Sequence, residues 1–152
     1  MNIIDATYFP LDGTTTSTTI SSTLQNKIID FPFSVEENKV ILDLSIGIAD
    51  KFARIIEGYL EVKDTRDDDL FTDTIVTAMD DFTTSLKSLV VAHLDNNAIS
   101  FGLITLWVPL TYMIARSAKL YHSPPLEKAT QYLQLDVLKL SDLLPKVKRA
   151  KK

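Results

Sequence analysis

Apolar residues recur at helical spacing over most of this chain, and along one stretch the polar interruptions stop. Val40, Ile41, Leu44, Ile48, Phe52, Ile55 and Tyr59 fall mostly three or four apart, which predicts an amphipathic helix. Ser34-Val35-Glu36-Glu37 marks its start as a capping box, in which the Ser34 hydroxyl and the Glu37 carboxylate satisfy exposed backbone N–H groups. This helix is expected to run to about Val62. A second stripe, from Phe71 through Ile75, Met79, Phe82 and Leu86 to Val90 and His93, predicts a helix over 69–94. Asp67, Asp68 and Asp69 stand where they can cap it and favour its positive N-terminal dipole. Leu126, Ala129, Leu133, Val137, Leu140 and Leu144 predict a last helix, opened by Ser123-Pro124 and closed by Pro145.

Residues 98–115 read AISFGLITLWVPLTYMIA, and no charge falls between Asp95 and Arg116. Asn96 and Asn97 supply the N-cap, and the helix is expected to continue to about Tyr121. A helix apolar on every side is buried in a protein core or in a bilayer. Eighteen residues rise about 27 Å, marginal against a hydrocarbon core of roughly 30 Å. Arg116 and Lys119 suit the cytoplasmic flank of a span, whereas Trp107 near the centre suits a core, because tryptophan in membranes prefers the interface. Three amphipathic neighbours need one apolar partner, which favours the core. Pro109 is expected to kink the helix and to leave the Thr105 carbonyl without its usual donor.

Residues 1–33 do not carry a helical stripe. Pro10-Leu11-Asp12-Gly13 is a turn signal. Positions 14–23 hold six threonines and three serines, with Ile20 the lone apolar side chain. β-Branched residues favour extended backbone, so this segment is read as a flexible arm or as a strand or hairpin that pairs with a sheet or a partner. Phe31 and Phe33 flank Pro32 in an apolar patch expected to tuck onto the helical body. The fold class predicted is mostly α: a four-helix bundle-like body over 34–145, a threonine-rich, partly extended, hairpin-prone arm over 1–33, and a basic tail over 146–152.

Charge sharpens this division. Residues 1–97 carry 17 acids against 7 bases, and residues 98–152 carry 3 against 9, within a net charge of −4. The two halves, at −10 and +6, are expected to meet different surroundings, or each other in neighbouring copies. The tail, with Lys146, Lys148, Arg149, Lys151 and Lys152, is short, lacks interleaved aromatics and belongs to an acidic chain, so nucleic acid is not an expected partner. The first residues lack the basic-then-apolar pattern of a secretory signal.

Chemistry is sparse. There is no cysteine, which excludes disulfides and thiol catalysis. His93 and His122 belong to no metal-binding pattern, and phosphate-loop, dinucleotide and serine-nucleophile motifs are absent. The aspartates near position 67 do not follow the calcium-loop pattern. No catalytic, cofactor or metal residue is assigned and no cofactor is expected. The expected role is a non-enzymatic structural or assembly protein in a homo- or hetero-oligomeric particle, such as a virion or accessory subunit, in the cytoplasm or on that particle. Its partners are copies of itself or other protein subunits, with contacts assigned to Thr14, Thr15, Thr16, Ile20, Phe31 and Phe33. The alternative is a membrane-associated subunit anchored by 98–115.

Overall fold

The computed structural model describes residues 7–145 of the chain. It is mostly helical, and no strand occurs among the described residues. The helices are α1 (Ser17–Ile28), α2 (Val35–Ile46), α3 (Ala49–Val62), α4 (Asp68–Ala92), α5 (Asn97–Leu120) and α6 (Pro124–Lys139), followed by a short 3-10 turn, Leu140–Leu143. Among the described residues six helices therefore stand where four and an arm were expected.

The largest difference is α1. The threonine-rich segment is a helix, neither a hairpin nor an extended arm. Ile20, Leu24 and Ile28 are spaced by four and are all buried, so a narrow stripe suffices to dock the helix on α3, α2 and α5. Its hydroxyls find acceptors within the helix itself. Ser22 Oγ donates to the Thr18 carbonyl at 3.1 Å and Thr23 Oγ1 to that of Thr19 at 3.0 Å. Thr16 and Thr19 form a reciprocal capping box at its start. Tertiary burial here overrides a poor intrinsic propensity. The preceding residues are also anchored. Phe9 and Leu11 are buried, the Phe9 N–H donates to Ser117 Oγ at 2.7 Å, and the Asp12-Gly13 turn uses φ +92° at Gly13.

The helix expected from Ser34 to Val62 breaks at Gly47-Ile48. Ile48 leaves the helical region at φ −114°, ψ 7°, and its N–H turns back to the Ser45 carbonyl at 3.1 Å. The break lets Ile41 on α2 and Phe52 on α3 both reach full burial. Elsewhere the sequence signals hold. Ser34 and Glu37 form the expected box, Asp67 Oδ1 accepts from the Leu70 N–H at 3.0 Å, and Asn96 Oδ1 accepts from Ala98 and Ile99. Ser123 Oγ accepts from Leu126, with prolines in the first turn of α6.

The core gathers around α5, which packs on α6, α4, α2 and α1. The helix continues through Pro109 without interruption. Trp107 is fully buried. Its ring centroid lies 4.8 Å from that of Phe82 and 5.3 Å from that of Phe52, and Phe52 meets Phe9 at 5.8 Å. Gly102 faces Ile41 so closely that a Cβ there would collide with the end of the isoleucine side chain. Glycine at 102 thus sets the approach of α2 to α5. At the other end, His122 takes φ 55°. The Ser123 N–H reaches the Ala118 carbonyl at 2.9 Å and the His122 N–H that of Lys119 at 3.2 Å, a Schellman closure with a histidine where glycine is usual.

Candidate functional site

The residues singled out from the sequence go to two different places. Thr15 is buried and its hydroxyl donates to the Pro10 carbonyl at 2.7 Å. Thr16 caps α1, and Ile20 lies wholly in the core. Thr14 is exposed, with its N–H and hydroxyl both donating to Asp12 Oδ1. Those bonds favour the ionised form and hold the Asp12 carboxyl below its ordinary pKa. Of the four, Thr15, Thr16 and Ile20 are engaged in building the N-terminal fold, while Thr14 and Thr16 are exposed. Phe31 and Phe33 are half-buried, with ring centroids 5.9 Å apart. The tail residues Lys146, Lys148, Arg149, Lys151 and Lys152 lie outside the described residues.

Phe33 meets Phe101 on α5 edge to face, with centroids 6.5 Å apart. Together with Ala98, Leu144 and Pro145 they line an apolar cleft at the N-terminal end of α5. Phe101 begins a row that points outward along that helix. Thr105, Val108 and Ala115 are half-buried, while Phe101 and Tyr112 are 49% and 54% exposed. These positions recur at three and four, so they form one stripe on one face. α6 runs beside the stripe, where Gln134 Nε2 donates to the Thr111 carbonyl at 3.4 Å and Leu138 is exposed. Phe101 and Tyr112 thus expose large apolar side chains on one uncharged stripe, rather than singly on separate faces.

Ionisable side chains gather elsewhere. Arg54, Glu57, Glu61, Asp73 and Asp81 line an open groove between α3 and α4, and Lys51 pairs with Asp81 at 3.1 Å on its edge. Among the described residues no three of His, Asp and Glu stand close enough to hold a metal ion. His93 is half-buried at the end of α4, with Nδ1 2.9 Å from the Leu89 carbonyl.

The outward stripe was hidden in the sequence because residues 98–115 are apolar on every side, and periodicity cannot show which side lacks a neighbour. The readable signal was its spacing, since Phe101, Thr105, Val108 and Tyr112 can be placed on one face once Trp107 is assigned to the core. Compared with known protein families, curated proteins and solved structures, the chain matches none.

Proposed function

We propose that this chain is a non-enzymatic structural and assembly protein, acting through protein–protein contacts in a homo- or hetero-oligomeric particle. The observation that carries this reading is the exposed, uncharged stripe of α5, with Phe101 and Tyr112 about half in solvent. Aromatic side chains in that state are characteristic anchors of protein interfaces. The charge asymmetry adds to it, because an acidic half and a basic half favour ordered association over random contact.

The test is to replace Phe101 and Tyr112 by lysine, singly and together, and to measure mass by light scattering. Loss of a defined oligomer, with the helical signal and melting temperature retained, supports the reading. An unchanged mass distribution in the double variant counts against this face.

A membrane-associated subunit is the second reading. α5 has 24 residues and, at 1.5 Å per residue, is about 36 Å long, enough to cross a bilayer core of roughly 30 Å. Among the described residues it is the one helix long and apolar enough to do so, yet 61% of its most apolar window is buried against the other helices. Flotation with lipid vesicles separates the two readings.

A further inference from the structure

We infer that the α5 stripe pairs with the same stripe of a second copy of this chain, antiparallel, about a two-fold axis near Val108 and Pro109. The inference rests on the assembly reading above and names its partner and geometry. Along the stripe, the exposed or half-exposed positions are Ala98, Phe101, Thr105, Val108, Pro109, Tyr112 and Ala115, all uncharged, and beyond them Arg116 and Lys119. An isologous contact requires a patch to complement itself. Turned about Val108–Pro109, the large Phe101 of one copy falls on the Ala115–Arg116 turn of the other. Tyr112 falls on Thr105, so each bulky ring meets a small or flexible side chain, and the two-fold repeats both contacts.

Charge selects the same direction. Among the described residues, Asp95 just before α5 and Arg116 and Lys119 near its end take part in no ion pair. The antiparallel arrangement brings Lys119 of one copy within about one helical turn of Asn97 and Asp95 of the other, at both ends of the contact. The 20 positions between Asp95 and Arg116 hold no charge, so no like charges meet at the centre. A parallel arrangement would set Phe101 on Phe101 and Tyr112 on Tyr112. It would also place Arg116 and Lys119 against their own copies, which costs free energy. Antiparallel helix dipoles add a small attraction in the same sense. Phe33 before α2 packs on Phe101 at one end of the stripe and extends its apolar area.

The chain has no cysteine, so single introduced thiols report the pairing. Val108→Cys, near the axis, is expected to oxidise to a disulfide-linked dimer of the full chain. Phe101→Cys is expected to cross-link to Ala115→Cys when the two variants are mixed, and not to itself. Val91→Cys, exposed on α4, serves as the control and should stay uncoupled. Light scattering should give twice the chain mass for the unmodified chain and one chain mass for Tyr112→Lys, whose exposed position leaves folding intact. A monomer at all concentrations overturns the pairing. So does efficient coupling of Phe101→Cys to itself, or an oligomer that survives Tyr112→Lys; these two leave the assembly reading standing on another geometry or face. A monomer that floats with anionic vesicles, and loses flotation on Tyr112→Lys, overturns both the pairing and that reading in favour of lipid.

Discussion

The two faces of α5 are made of the same kinds of residue and have opposite surroundings. On the inner face Leu103, Leu106, Trp107, Leu110 and Ile114 are all at or near zero exposure. On the outer face Phe101 and Tyr112 stand half in water. The inner face is fixed by neighbours on three sides, with the Trp107–Phe82–Phe52 cluster at its centre. Among the described residues Phe33 packs on the outer face at its Phe101 end, and the rest of the stripe is half-buried to exposed. The difference teaches that a helix with a long uncharged run need not be uniformly buried. Where the fold leaves one stripe exposed, its apolar character adds little to the stability of the single chain.

Substitutions on the two faces should therefore separate by an order of size. Trp107→Ala empties the largest fully buried side chain and should cost about 3–5 kcal/mol, read as a fall in the midpoint of denaturant unfolding. Trp107→Phe sharpens this point. The buried indole N–H has no hydrogen-bond partner among the described residues, so removing it offsets part of the lost packing, and the cost should be about 1–2 kcal/mol. If Trp107→Phe were as damaging as Trp107→Ala, the indole would hold a partner that this packing does not provide.

Gly102→Ala pushes a methyl group into Ile41 and should cost about 1–3 kcal/mol by overpacking. Combining it with Ile41→Val should recover part of that loss, because the colliding methyl is then removed. Additive losses in the double variant would place the collision elsewhere.

His122→Gly tests the end of the same helix. The φ of 55° is ordinary for glycine and costly for other residues, so this variant should be more stable by about 0.5–1 kcal/mol. A thermal melt shows it as a higher midpoint. The smallest effect is expected on the outer face. Tyr112→Lys should change the stability of the single chain by less than about 0.5 kcal/mol, measured by denaturant unfolding under dilute conditions. A loss near that of Trp107→Ala would erase the contrast between the two faces.

Local signals were legible where a side chain acts on its own neighbours. The Ser34–Glu37 capping box, the Asp67, Asn96 and Ser123 caps and the apolar stripe of α4 all depend on residues within one or two turns. Trp107 was placed in the core by a similar argument, from its position within the apolar run. The candidate site was legible only in fragments. The apolar patch around Pro32 points to Phe33 as a contact residue, but its neighbour Phe101 lies 68 positions away in the numbering, and no local pattern joins them.

The sequence by itself determined that the chain is mostly helical, where most helices start and stop, and which residues of the strongly amphipathic segments turn inward. Those properties follow from hydrogen bonds and periodicities spanning a few residues. Three matters were decided by tertiary structure. The threonine-rich segment became α1 because the body offers a groove for Ile20, Leu24 and Ile28, and burial outweighs weak helix propensity. The long first helix became two because Ile41 and Phe52 reach the core from different directions. The outer face of α5 stayed open because its neighbours fill only the other sides, and in an evenly apolar helix that depends on where the neighbours stand.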